Sequence, residues 1–246
     1  MSDSDLAARS RVLARVPLFA GLPAADLDRL AASLTRHRYA KGEVIWIGGE
    51  PATDLCIVEQ GSVRIVLTSA DGREVVLTSL GVGEFFGELA LFDGTTGPAD
   101  VIAQDDCSLL RLKREHMLDF LRNHPHTAEQ LLAVLSRRLR ETDTLVYDTT
   151  FRDVPSRLAR AVLKLAASHG RREADGIVLG RRLTQEDLAA MIGSSRVSVN
   201  KWFKSWERQG LISSSGGVIK ILRPAELWPP DILEDGPTAA DAAAFA

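Results

Sequence analysis

Residues 183–222 read LTQEDLAAMIGSSRVSVNKWFKSWERQGLISSSGGVIKIL, and their punctuation decides the fold of the C-terminal part of the chain. Thr184 before Glu186 and Asp187 is a helix start, with a hydroxyl for the first amides and acids in the first turn. Leu188, Met191 and Ile192 face a core, and Ala189 lets a second helix approach closely. Gly193 ends this helix and Ser194-Ser195 form a turn. A second helix runs from about Ser195 to Gln209 with Val199, Trp202, Phe203 and Trp206 inward. Arg196, Val197, Asn200, Lys201 and Lys204 fall on the opposite face. Leu211-Ile212, the turn Ser215-Gly216-Gly217 and Val218–Leu222 complete a hairpin. Helix, glycine turn, basic-faced helix and hairpin are the plan of a winged helix-turn-helix, whose second helix enters the major groove of double-stranded DNA.

The reading roles follow from donor and acceptor chemistry. Arg196 suits a bidentate bond to guanine, Asn200 suits adenine, and Lys201 and Lys204 suit base edges or phosphate. Val197 offers an apolar contact to a thymine methyl but cannot accept a bond from cytosine. With Thr184, Ser195 and Ser198 these are the candidate DNA-contacting residues. Charge agrees: residues 181–223 hold Arg181, Arg182, Arg196, Lys201, Lys204, Arg208, Lys220 and Arg223 against Glu186, Asp187 and Glu207. That block of +5 sits on a chain whose net charge is −3. A local basic module on an acidic protein is what a phosphate-binding surface requires.

Outward from this head, Ser156–Ala167 reads as a helix after the break at Asp153-Val154-Pro155. Before the break, a long helix begins near His126, with Leu131, Leu135, Leu139, Thr142 and Val146 on a narrow heptad-like seam, read as a parallel homodimer contact. Residues 36–113 are different: glycines at short intervals separate β-rich runs at Val44–Ile47, Leu55–Glu59, Ser62–Ser69, Glu74–Leu80, Ala99–Gln104 and Ser108–Leu112, with a hairpin turn at Ala70-Asp71-Gly72-Arg73. Residues 5–34 are helical with a break at Gly21-Leu22-Pro23. The expected class is α+β: an N-terminal antiparallel, jelly-roll-like β-roll with flanking helices, a long dimerisation helix and a C-terminal winged helix-turn-helix. The expected segments are a sensor domain at 1–125, the dimerisation helix and hinge at 126–153, the DNA-binding domain at 154–228 and a disordered Pro- and Ala-rich tail at 229–246.

Other functions lack their residues. The sequence has no apolar run of membrane-spanning length and no secretory leader, so it is placed in the cytoplasm without membrane attachment. Two distant cysteines, Cys56 and Cys107, make neither a zinc nor an iron–sulfur site, and the five histidines have no ligand spacing, so no metal is expected. No nucleophile–base set, paired-carboxylate site, Walker loop or GxGxxG points to an enzyme. The competing class is a ligand-sensing or protein-interaction module without specific DNA binding.

Several motifs in one order carry a resemblance: Pro17-Leu18-Phe19, Gly42-Glu43, Val58-Glu59-Gln60-Gly61, Gly83-Glu84-Phe85-Phe86-Gly87-Glu88-Leu89, Arg137-Arg138-Leu139, Asp153-Val154-Pro155-Ser156-Arg157 and Leu183–Ile212. From about Val16 to Leu222 the chain resembles the CRP/FNR family of bacterial regulators. The resemblance implies a cyclic-nucleotide-binding β-roll and a homodimer reading two half-sites, with double-stranded DNA and RNA polymerase as partners. It makes Gly87-Glu88-Leu89 the segment that closes the pocket, Glu88 the acceptor of a ribose hydroxyl, and Thr142 and Asp143 the positions nearest the base. Gly97-Pro98 stand where the cAMP-binding members carry an Arg-Ser or Arg-Thr pair for the cyclic phosphate, and no Arg or Lys lies between Glu74 and Gln104. Proline has neither a side-chain donor nor an N–H. Three readings stay open: no nucleotide, a different ligand, or cAMP held through Glu88, Thr142 and the amides. At the reading head, Arg196 and Lys201 match the resemblance, while Val197 replaces an expected Glu.

Overall fold

The computed structural model describes residues 3–51, 53–72, 74–180 and 182–227. The expected tail at 229–246, Arg73 of the hairpin turn and Arg181 of the basic block lie outside the described residues. Contacts divide the chain into two compact units, the first ending at Asp143 and the second beginning at Thr144.

The first unit opens with α1 (Asp3–Leu13), a 3-10 turn at Pro17–Phe19 and α2 (Ala24–Ala32), whose Leu27, Leu30 and Ala31 form one buried face. The strands are β1 (Thr35–Tyr39), β2 (Val44–Trp46), β3 (Asp54–Gln60), β4 (Val63–Thr68), β5 (Glu74–Leu80), β6 (Phe85–Phe86), then, after the short α3 (Glu88–Asp93), β7 (Asp100–Ala103) and β8 (Cys107–Lys113). They form two four-stranded antiparallel sheets, ordered β1-β8-β3-β6 and β2-β7-β4-β5. Helices α4 (Arg114–Asn123) and α5 (Pro125–Phe151) follow, the last residues of α5, from Thr144, belonging to the second unit.

Strand β3 explains the layering. Its side chains alternate in direction, yet Leu55, Cys56, Ile57 and Val58 are all buried. Leu55 and Ile57 pack with Leu13, Phe19, Leu30, Met117 and Leu131 under the helices. Cys56 and Val58 pack with Phe86, Val101 and Leu109 in the interior of the roll. Both faces of β3 are therefore covered, which is why it reads as a continuous apolar run.

Strands β1 and β6 escaped the sequence reading. β1 is Thr-Arg-His-Arg-Tyr, an edge strand with no apolar alternation. Its backbone pairs with β8, and its side chains are fixed by a polar network: Arg36 donates to both oxygens of Glu59 at 2.7 Å and to Asp5 of α1 at 2.6 Å, and Ser108 donates to Glu59 at 2.7 Å. β6 is only two residues long.

In the second unit, α6 (Val154–His169) starts at Asp153, whose carboxylate accepts from the Ser156 amide at 3.0 Å. Then come β9 (Gly170–Glu173), β10 (Gly176–Leu179), α7 (Gln185–Met191), α8 (Arg196–Arg208), β11 (Ile212–Ser215), β12 (Val218–Ile221) and α9 (Pro224–Leu227). The wing hairpin β11–β12 belongs to a four-stranded sheet ordered β11-β12-β10-β9. The β9–β10 hairpin was not anticipated, because β9 is fully exposed and only Ile177 and Leu179 of β10 are buried. Leu158, Val162, Leu188, Val199, Phe203, Trp206, Ile212 and Ile221 build one core beneath α8.

Candidate nucleic-acid interface and effector pocket

Two caps set the geometry of the reading head. Thr184 Oγ1 accepts from the Asp187 amide at 3.0 Å and Asp187 accepts from the Thr184 amide at 2.8 Å, a closed capping box at the start of α7. Gly193 takes φ +59°, and the Ser194 amide bonds back to Ala189 at 2.9 Å. Ser195 Oγ accepts from the Ser198 amide at 3.2 Å and starts α8. Thr184, Ser195 and Ser198 thus hold one another or the helix ends, and their hydroxyls are already engaged.

Val199, Phe203 and Trp206 turn into the core, which forces the opposite face of α8 outward. Val197 is 77% exposed, and Arg196, Lys201 and Lys204 are exposed. Asn200 is half-buried and accepts from Gln185 Nε2 at 3.4 Å. Arg196 Nη1 meets Glu186 Oε1 at 3.3 Å.

The basic block is thinner in space than in sequence. Lys220 is bound to Asp175 and Glu173, which hold its ammonium above the usual lysine range and whose own carboxyls lie below theirs. Arg223 pairs with Glu226 at 3.4 Å. Of the described residues in the block, Arg182, Lys201, Lys204 and Arg208 have no carboxylate partner.

In the β-roll, Gly87 takes φ +92° just before α3, and a Cβ there would stand 2.4 Å from the Asp54 carbonyl and 2.5 Å from the Trp46 ring. Only glycine fits. Glu88 is 5% exposed, and its carboxylate meets Arg138 of α5 at 2.7 Å. The same guanidinium donates to the Phe85 carbonyl and lies 4.9 Å from the Phe85 ring centroid. Leu89 is exposed. The Gly97 carbonyl accepts from the Gly49 amide at 2.8 Å, and Pro98 is exposed. Asp100 accepts from the Gly48 amide at 2.7 Å and from Thr68 at 2.6 Å, bonds that hold its carboxyl below the usual range. Its charge therefore serves the turn. Thr142 is exposed and donates to the Arg138 carbonyl at 3.0 Å, and Asp143 is exposed. No hydrogen bond joins either to Glu88, Gly97 or Pro98 among the described residues.

Arg138, quoted above only within a motif, is the pocket residue to which the sequence reading gave no role. Its signal is register: with Leu131 and Val134 it lies on the stripe of α5 that faces the roll, and a charge on a buried stripe needs a partner.

The seam divides in the same way. Leu131 is 3% exposed and sits in the chain's own core, and Leu135 packs against that core. Leu132, Leu139 and Val146, seven apart, are exposed at 64%, 62% and 58%. The exposed stripe thus runs through Leu132, with Thr142 beside it, while Leu131 is spent inside the chain.

Cys56 and Cys107 are buried, and burial pushes the Cys56 thiol up to about 12. Among the described residues no cluster of metal ligands occurs and no helix is long and apolar enough to cross a membrane.

Comparison with known proteins follows this division. Residues 36–124 match the cyclic nucleotide-binding domain family, and residues 156–228 match the Crp-like helix-turn-helix domain family. A CRP-like cAMP-activated global transcriptional regulator of Mycobacterium tuberculosis is 33% identical over 210 residues, covering 85% of this chain and 94% of the relative. A cyclic AMP receptor protein of Thermus thermophilus is 33% identical over 211 residues, covering 86% and 94%. The c-di-GMP responsive global regulator CLP of Xanthomonas campestris superposes with a TM-score of 0.74 at 27% identity, over 81% of this chain and 99% of that one.

Proposed function

From a chain that belongs to the CRP/FNR family of transcription regulators, we propose a cytoplasmic homodimer that reads a near-palindromic operator with α8, one half-site per protomer, about 34 Å apart. The observation that carries this reading is the face of α8 itself: Arg196, Val197, Lys201 and Lys204 are exposed on one side while Val199, Phe203 and Trp206 anchor the other. The exposed heptad Leu132–Leu139–Val146 supports a second copy as the covering surface. In functional terms the segments are a sensor to residue 125, a dimerising helix and hinge to 153, and the reader from 154 to 228. RNA polymerase is the expected protein partner at the promoter.

Arg196 reads guanine in this scheme, and Val197 changes the preference at the neighbouring base pair because it has no acceptor for cytosine. Selection of bound duplexes from a random pool should return a guanine in each half-site. Arg196→Ala should then lose about 1–3 kcal/mol of specific binding. A variant that bound the selected duplex as well as wild type would remove Arg196 from the role.

The pocket is altered. Two of the named relatives are cAMP-activated or cAMP receptors. Here Gly97-Pro98 bring no cation to a cyclic phosphate, and Glu88 is already engaged by Arg138. Calorimetry with cAMP, cGMP and cyclic di-GMP should find cAMP weaker by ~10-fold to 100-fold than a pocket with the arginine would hold it. Tight cAMP binding would overturn the altered pocket and leave the DNA assignment standing.

A further inference from the structure

Two side chains from the first turn of α7 reach the reading face of α8. Glu186 Oε1 accepts from Arg196 Nη1 at 3.3 Å, and Gln185 Nε2 donates to Asn200 Oδ1 at 3.4 Å. The capping box at Thr184 and Asp187 fixes the turn that carries Gln185 and Glu186. Both candidate base readers, Arg196 and Asn200, therefore have a partner on the preceding helix.

An exposed arginine is spread over many rotamers, and a bidentate guanine contact needs one of them. A carboxylate that holds Nη1 leaves the other edge of the fork, Nε and Nη2, for guanine O6 and N7. As a surface pair, with side chains 66% and 67% exposed, it adds little to folding. As a negative charge beside a phosphate backbone it opposes general DNA binding. The balance of these effects falls on selectivity.

The geometry points to Glu186 as a positioning residue for Arg196, raising guanine selectivity while lowering general affinity for DNA. This rests on the assignment of α8 as the reader. Gln185 acts on Asn200 in the same manner by orienting its amide.

The test uses the full-length protein, the duplex enriched by random-pool selection, the same duplex with the assigned guanine pair replaced, and a scrambled duplex, all at fixed salt. Binding is read by fluorescence anisotropy for wild type, Glu186→Ala, Glu186→Gln and Arg196→Ala. Glu186→Ala should bind the scrambled duplex at least as tightly as wild type and lose about threefold to tenfold of the guanine preference, a part of what one bidentate contact supplies. Glu186→Gln, which keeps an oxygen acceptor without the charge, should retain most of the preference. A preference unchanged in Glu186→Ala, or lost equally in both Glu186 variants, overturns the positioning role. If Arg196→Ala also leaves the preference unchanged, or no sequence is enriched, the reader assignment has failed and the positioning role falls with it.

Discussion

Replacing Arg138 by methionine tests how the roll holds α5. The substitution keeps most of the aliphatic volume but removes three contacts: the 2.7 Å bond to Glu88, the bond to the Phe85 carbonyl and the guanidinium over the Phe85 ring. Removing one partner of a buried ion pair costs roughly 3–5 kcal/mol. The Arg138 side chain is 21% exposed and that of Glu88 7%, so water reaches one side of the pair. The expected loss is about 2–4 kcal/mol, of which the ring contact accounts for ~0.5–1. Glu88→Gln combined with Arg138→Met leaves no uncompensated charge, and the double variant should recover about half of the loss. The chain has two units, so a single melting temperature mixes them. Native-state hydrogen exchange of the β3 and β6 amides isolates the unit concerned. A loss below ~1 kcal/mol, or strict additivity in the double variant, would refute the argument.

Two further outcomes follow from the structure. Aspartate at Leu139 and Val146 puts charge on the exposed stripe, so sedimentation should find a monomer with weakened operator binding but an intact fold; a stable dimer would move the interface elsewhere. Acid should loosen α1 from the roll. Burial pushes the Glu59 carboxyl up, but the Arg36 and Ser108 bonds outweigh burial and hold it below its ordinary 4.5, and Arg36 similarly lowers Asp5. A lowered folded value means stability that is complete above pH 4.5 and lost as pH falls through the lowered value. Glu59→Gln should be less stable at neutral pH and converge on wild type in acid; parallel urea midpoints between pH 7 and about pH 3 would contradict this.

The strands that bury both faces, β3 and β8, and the glycine-punctuated β4–β5 hairpin were readable because burial writes apolar runs and turns write glycine. β1 was not, because it pairs with β8 through its backbone and its side chains add an ion network through Arg36, Glu59 and Asp5, neither of which leaves apolar periodicity. At the reading head the inward set Val199, Phe203 and Trp206 followed from spacing, whereas the side-chain partners of Arg196 and Asn200 depend on how α7 crosses α8. On α5 the sequence supports two stripes, one through Leu131 and Val134 and one through Leu132, Leu139 and Val146. Spacing alone does not say which stripe the chain covers itself. Contact with the roll decides it: Leu131 and Val134 are buried.

That same contact constrains any effector. No cation comes from the Gly94–Asp100 segment, yet Glu88 is not left alone, because α5 supplies Arg138. A ligand hydroxyl aimed at Glu88 meets a carboxylate whose Oε1 already holds the guanidinium at 2.7 Å, with Oε2 left to accept. It shifts the protein only by the difference between its binding to the two states. Arg138 is followed directly by the exposed Leu139, so the turn of α5 that anchors on Glu88 also carries part of the proposed dimer stripe. In Arg138→Met that link is cut and Glu88 is left as an uncompensated carboxylate: affinity for an anionic nucleotide should fall, and dimerisation should cease to respond to it. Ligand binding and sedimentation measured on the same variant separate the two halves of the argument.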